Sequence, residues 1–345
     1  MVNAAIAGLG WAVPTEAGQE EAWDLFFAEH YADVSLARRI WERSGVETRH
    51  GAVVPFKEDV SSWGTEARMQ RFVEEAVPLG REAVLRCVAD AGLQPSDVDL
   101  LAVATCTGYG SPGLDVLLAA ELGMTPSVER LHIGHMGCYA ALPGLAAVTD
   151  TAVARGKTSV LLCLELSSLH LQPPTAELDQ VIAHALFSDA AAAVAVVPGD
   201  AGLRLVDVVA RTDVASADMM TWDVTDHGFV MALSPRIADV LERNVGGLVD
   251  ELLSRHKLSR DRVAAWAVHP GGPKILDVVE EQLDVDLEVS RGVLRDFGNC
   301  SSATVLLILD RIVREGTLTD GDHVVALAFG PGLTLYVALL QQQTL

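Results

Sequence analysis

Three polar residues in this chain have types suited to one piece of chemistry: Cys138 in HMGCYAALPG, His269 in WAVHPGGPKIL and Asn299 in DFGNCSSA. Cys138 opens a predicted helix, where the positive end of the macrodipole and free backbone N–H groups favour a thiolate. Gly137 before it permits close backbone approach. His269 leaves a predicted buried strand, held between Val268 and the stiff Pro270-Gly271-Gly272-Pro273 loop, a common position for functional residues. Asn299 stands at the start of another helix. Taken singly, each has a structural reading: a core thiol, a bracing imidazole, a helix cap. Taken together they are more informative. A cysteine exchanges acyl groups as a thioester. A neutral imidazole N–H and a carboxamide N–H supply two donors to a thioester enolate oxygen, with no acidic proton to quench the carbanion. That is the equipment of a decarboxylative Claisen condensation. An imidazole near the thiol can also stabilise or generate its ionised form.

The elements that must position these groups read as α/β layering. Apolar, β-rich runs at Leu100–Thr105, Ser159–Leu164, Ala191–Val197, Ala264–Val268, His323–Ala328 and Leu333–Leu339 are predicted strands. They alternate with helical patterns over Glu66–Ala91 (with Pro78 as a possible kink), Tyr139–Arg155, Ile237–His256 and Ser301–Arg314. The two halves echo each other. Leu93 and Val98 precede strand LLAVATCT as Leu258 and Val263 lead into AAWAVHPGG. Gly137-Cys138 opens a helix ending ARG, and Gly298-Asn299 opens one ending REG. Duplicated modules of this kind predict a pseudo-twofold fold, with residues 1–200 carrying the cysteine and 201–345 carrying the histidine and asparagine. Such a fold brings the equivalent positions together at its centre.

At 345 residues and 50% hydrophobic, the chain can bury a large core. Its N-terminus has no basic stretch leading into a long apolar run, so no secretion signal is expected. The apolar run Val324 to Leu340 is broken by Gly330-Pro331-Gly332, which predicts two strands around a turn rather than a membrane span. Five scattered cysteines form no metal spacing and suit a reducing cytoplasm. A net charge of −22 argues against nucleic acid and anionic membranes as partners. Any site for a polyanionic ligand must therefore be a local basic spot.

The stretches CTGYGSPG (106–113), HMGCYAALPG (135–144), ALFSDAAAAV (185–194), AVHPGGPKILD (267–277), FGNCSSATVL (297–306) and AFGPGLT (328–334) resemble, in order, those of the type III polyketide synthases. That group includes chalcone and stilbene synthases and the bacterial alkylpyrone and alkylresorcinol synthases, which this chain resembles more than the plant enzymes. The first hundred residues match more loosely, through RSGVETRH (43–50). The resemblance implies a duplicated, five-layered αβαβα thiolase-like fold and a homodimer. It implies an acyl-CoA starter and malonyl-CoA as substrates, with no metal or redox cofactor beyond these coenzyme A thioesters. It places the nucleophile on Cys138, the decarboxylation pair on His269 and Asn299, and a gatekeeper phenylalanine on Phe187. It further places Ser301 beside the acyl group, Gly330 and Gly332 in the cavity wall, and Arg39 and Arg43 on coenzyme A phosphates. These arginines lie one helical turn apart, on one face.

The chain also departs from the family pattern. The common LFGDGA becomes Leu186-Phe187-Ser188-Asp189-Ala190, Met231 replaces a second aromatic gatekeeper, and Trp222 and His170 fall on cavity positions where plant enzymes carry smaller residues. Starter choice and ring closure are left open. His132 and His135 lie just upstream of the nucleophile, and His135 reads as a structural donor with a rival base as the alternative; Glu165 reads as a buried carboxylate and Asp189 as a turn brace. Three rival readings remain. One is a ketoacyl-ACP synthase III-like enzyme, which usually has His-Gln-Ala-Asn where this chain has HPGG. Another is a pyrone-forming ketosynthase joining carrier-bound chains. The third is a non-catalytic partner subunit, which normally lacks the nucleophile.

Overall fold

The computed structural model describes residues 3–344. Thirteen strands follow in chain order. They are β1 (Ala4–Ala12), β2 (Thr15–Gly18), β3 (Thr48–Gly51), β4 (Leu100–Thr105), β5 (Glu129–Gly134), β6 (Ser159–Glu165), β7 (Ala190–Pro198), β8 (Gly202–Thr212), β9 (Met220–Thr225), β10 (Gly228–Leu233), β11 (Val263–Val268), β12 (His323–Gly330) and β13 (Thr334–Gln343). Nine form one sheet in the order β11-β12-β13-β8-β1-β7-β6-β4-β5. β2 pairs with β3, and β9 with β10.

The pairing pattern occurs twice. β4 runs parallel to β6, which is antiparallel to β7, which is antiparallel to β1. β11 runs parallel to β12, which is antiparallel to β13, which is antiparallel to β8. The halves meet at β1 and β8 through the single pair Ile6 and Leu203. The expected duplication is thus a property of the sheet, and only β5 lacks a counterpart.

Period-two alternation of side chains builds the layers. In the first half Leu101, Val103, Val160 and Leu162 point outward onto the long helix Thr65–Asp90. In the second, Val325, Leu327, Val337 and Leu339 point outward onto helix Ile237–Arg255. The inward residues of both halves, among them Ala102, Ala104, Val324 and Ala326, share one core with helices Ala141–Arg155 and Thr304–Glu315. The result is helix, sheet, paired helices, sheet, helix: five layers. Fully buried strands with continuous apolar stretches, such as β4 and β6, follow from this burial on both faces.

Helix Thr65–Asp90 runs continuously through Pro78. Both central helices begin later than their sequence pattern suggests. A 3₁₀ turn at Gly137–Tyr139 precedes the first and another at Ser301–Ala303 precedes the second. Cys138 lies inside its turn, whereas Asn299 lies two residues ahead of its own. The expected equivalence of these residues therefore holds for their neighbourhood but not residue for residue. The cause is in the backbone, since Ser301 takes φ of +48° and the chain bends there.

Candidate active site

The chain ends of the central layer converge where the halves touch. Asn299 N–H donates to Leu186 O at 2.8 Å and Ser188 N–H to Asn299 O at 3.0 Å, a bridge that ties Phe187 of one half to Asn299 of the other. His269 follows β11, its own N–H donating to Leu327 O at 2.8 Å. Its ring stands edge-on to Phe329, with centroids 5.5 Å apart. The Cys138 turn is pressed against the loop after β12. A Cβ at Gly330 would lie 2.9 Å from the Tyr139 ring and 3.3 Å from Cys138 N, so only glycine permits this approach.

Cys138, His269 and Asn299 all line one cavity of about 470 Å³. Cys138 is 5% exposed, His269 0% and Asn299 2%. The Cys138 thiol donates to Ser301 Oγ at 3.6 Å, and Asn299 Oδ1 accepts the Ser301 N–H at 2.9 Å. Both ring nitrogens of His269 are buried with no hydrogen-bond partner in the protein. A buried polar group without partners is rare, and here the residue that carries both nitrogens lines a cavity that a substrate could occupy.

Electrostatics here are governed by burial. It pushes the Cys138 thiol up to about 12, against a smaller opposing effect of the Ser301 hydroxyl. It draws the His269 imidazole down to about 3. A thiolate favoured by its helix start is therefore not the resting state: desolvation of the sulfur outweighs the short turn's N–H groups. Burial thus favours the neutral form of both groups.

The cavity reaches the surface between Arg39, Arg43 and Lys274, all three exposed. The adjacent Arg38 is paired with Glu20 and Glu42. A strongly acidic chain thus keeps a basic rim at this one mouth. Inward, Cys138 and Phe187 also line a second chamber of about 140 Å³, together with Ser301, Trp222, Met231 and Cys106. Phe187 therefore stands between the outer cavity and the inner one.

Residues 3–200 match the family model for the N-terminal domain of chalcone and stilbene synthases, and residues 208–344 match that for the C-terminal domain. The chain belongs to this family. A 1,3,6,8-tetrahydroxynaphthalene synthase of Streptomyces peucetius subsp. caesius is 34% identical over 90% of this chain and 84% of that protein. A 3,5-dihydroxyphenylacetyl-CoA synthase of Amycolatopsis orientalis is 35% identical over 97% of this chain and 92% of its own length. The crystal structure of the 1,3,6,8-tetrahydroxynaphthalene synthase from Streptomyces coelicolor A3(2) superposes with a TM-score of 0.92 at 29% identity. It covers 99% of this chain and 100% of that one.

As a type III polyketide synthase, the protein is an acyltransferase of the condensing kind with the thiolase-like fold. Several residues of this synthase lie elsewhere than expected. Gly330 and Gly332 do not line the chambers; Pro331 between them does, and the glycines let the loop pack on the Cys138 turn and Thr334. His170 lies behind Trp222 rather than in the inner chamber, lining a third space of about 70 Å³ with Phe187, Trp222 and Met231. His135 borders the inner chamber, while His132 sits on the edge strand β5.

Asp189 braces its turn by accepting the Ala52 N–H and Ser168 N–H, each at 2.8 Å. Ser188, in place of a glycine, exchanges hydrogen bonds with the His50 backbone at 2.8 and 3.0 Å. Glu165 is fully buried and accepts Ser302 Oγ–H at 2.6 Å, Thr107 Oγ1–H at 2.8 Å and Cys106 N–H at 3.0 Å. Burial holds its carboxyl above the usual range despite these bonds. The sequence reading missed Lys274 and Cys106. Both stand in motifs already singled out, and a cation at the start of helix Pro273–Leu283 was the available signal.

No helix among the described residues is long and apolar enough to cross a membrane. Nor does any group of His, Cys, Asp and Glu among them stand ready to hold a metal.

The buried imidazoles make the protein acid-sensitive. His269 at about 3 and His170 at about 4 are both drawn down by burial from about 6.5 in an unfolded chain. Below pH 6.5 the unfolded state binds more protons, so stability present above that pH is lost as pH falls towards these folded values. Urea denaturation at pH 7.5 and 5.5 should show a loss of about 2–3 kcal/mol from these two residues. An unchanged midpoint would mean that both are protonated without cost in the fold.

Proposed function

We propose that this synthase loads an acyl starter from coenzyme A onto Cys138 and extends it with malonyl-CoA, releasing a pyrone or a resorcinol-type ring. The observation that carries the reading is the convergence of a thiol, an unpartnered neutral imidazole and a carboxamide on one buried cavity with a basic mouth. Residues 1–200 contribute the thiol and 201–345 the other two groups. Arg39 and Arg43, joined by Lys274, hold the coenzyme A phosphates, as point charges and forks suited to them.

In loading, the Cys138 sulfur attacks the starter thioester carbonyl while its proton passes to a His269 ring nitrogen. The C–S bond to coenzyme A breaks, and the coenzyme leaves as its thiol on taking a proton. The malonyl thioester then binds with its carbonyl oxygen facing the His269 and Asn299 N–H donors. The bond between its α-carbon and carboxylate breaks, carbon dioxide departs, and the electron pair is held as the enolate. The enolate carbon attacks the acyl carbonyl on Cys138, the new C–C bond forms, and the sulfur leaves. A chain two carbons longer is now on coenzyme A and returns to Cys138 for the next round. Phe187, between the outer and inner chambers, separates the coenzyme from the growing chain.

A homodimer fits the edge strand β5, whose outer edge is unpaired and which exposes Leu131. Five free cysteines suit the cytoplasm. The purified protein, given acetyl-CoA and malonyl-CoA alone, should release carbon dioxide and free coenzyme A and form a new ring product. If it releases neither, the reading fails.

A further inference from the structure

Two imidazoles stand near the nucleophile, and the reaction proposed above employs one of them. His269 lines the outer cavity. His135, two residues before Cys138, lines the inner chamber. The chain leaves β5 at Gly134, and His135 then takes φ of +63°, a left-handed conformation uncommon outside glycine. With Gly137 at +71°, this bends the strand into the Cys138 turn and sets imidazole and thiol on the same chamber. A position that glycine would occupy without strain holds instead a side chain with two proton-binding nitrogens.

Among the residues that line this chamber, His135 alone carries an imidazole, and none carries a carboxylate or an amine. The other polar groups nearby are engaged. The Ser301 hydroxyl meets the thiols of Cys138 at 3.6 Å and Cys106 at 3.8 Å. Thr107 Oγ1–H donates to Glu165 at 2.8 Å, and its oxygen accepts the Leu166 N–H at 2.9 Å. Glu165 itself does not line the chamber, and Ser302, Thr107 and Cys106 occupy its oxygens. Whereas His170, His184 and His256 spend ring nitrogens on Thr107 O, Tyr31 Oη and Asp207 Oδ2, those of His135 meet no protein partner among the described residues. A base must bear a positive charge for a moment, which contact with water permits and complete burial opposes. His135 is exposed, whereas His269 is 0% exposed.

We propose that His135 is a further catalytic residue, the base that closes the product ring on the chain held by Cys138. This role rests on the function proposed above. In closure to a pyrone, the enol oxygen of the folded chain attacks the thioester carbonyl, and His135 takes the enol O–H proton as the C–O bond forms. The C–S bond then breaks, the pyrone leaves, and the Cys138 sulfur receives the proton from His135. Both side chains end as they began, so no further reactant is consumed. The chamber, at about 140 Å³, is close to the roughly 150 Å³ that holds one benzene ring, so a base in its wall is near the closing atoms.

The test compares His135→Asn and His135→Gly with the wild type, because asparagine and glycine both accept a left-handed backbone. Cys138 is loaded from acetyl-CoA, malonyl-CoA is added, and mass spectrometry follows the acyl groups on the intact protein and the ring product released. Each variant should slow ring release about 10²-fold, the lower end of what a positioned base contributes. It should slow release at least about tenfold more than loading, so that extended chains accumulate on Cys138. Free imidazole should raise ring release at least about tenfold in His135→Gly, where the place of the ring is open. If the glycine variant does not fold, the accumulation in His135→Asn decides. Ring release at the wild-type rate in either variant would overturn the role. So would loading and release that fall together without rescue by imidazole, the result expected of a residue that only holds the turn. Failure of the underlying function is different, since the wild type then releases neither carbon dioxide nor coenzyme A.

Discussion

Cys138→Ala abolishes chain extension: product formation from acyl-CoA and malonyl-CoA falls by at least about 10³-fold, the scale on which covalent nucleophiles matter. The substitution removes one sulfur atom from a buried site, and the alanine keeps the Cβ packed in the turn at Gly137–Tyr139. The fold is therefore retained, and the loss reports on chemistry. Mass spectrometry of the intact wild-type protein after brief exposure to acyl-CoA should show one acyl group, which the variant lacks. Burial opposes ionisation of both the Cys138 thiol and the His269 imidazole. A Cys138→Ala protein that extends chains at the wild-type rate would rule the nucleophile out.

His269→Ala lowers malonyl-CoA decarboxylation by about 10²- to 10³-fold, as expected when an oxyanion donor is lost from a dry site. This is the cleaner of the two donor tests. The His269 ring has no hydrogen-bond partner in the protein, so its removal leaves no buried group unsatisfied and costs only its packing against Phe329. Asn299→Ala should also slow decarboxylation, but it uncaps the Ser301 N–H held at 2.9 Å and disturbs the turn beside Cys138. His269→Gln restores a carboxamide N–H and should recover part of the rate. Carbon dioxide release measured with malonyl-CoA alone separates this step from loading. Normal release in both alanine variants would reject the donor roles.

Local sequence carried much of this molecule. Uninterrupted apolar runs at β4, β6 and β12 read as strands because they are buried on both faces, and the duplicated helix–strand order read as a repeat because each half solves the same packing problem. The cysteine, the histidine and the asparagine were legible because each stands where a regular element begins or ends, flanked by glycine or proline. The ionisation of the thiol was not legible. A helix start can be seen in HMGCYAALPG, whereas the desolvation that overrides it comes from layers supplied by both halves.

The cavity walls show the same division. Trp222 was recognisable as a bulky residue near the site, but not as the partition between two chambers. That role depends on Cys106 O, 116 residues away, and on a hairpin fastened to His170. His170 and the two loop glycines were expected in the wall and instead lie behind it or beside it, because Trp222 and Pro331 reach the cavity first. Lys274 joined the basic rim only once helix Pro273–Leu283 was set beside Arg39 and Arg43. What the sequence alone determined is the buried strands and long helices that recur in the two halves and the three candidate groups at their ends, since these follow from periodicity and residue type over a few turns of chain. Tertiary structure alone decided the charge state of those groups and the space around them, since both depend on distance and dielectric between residues remote in sequence.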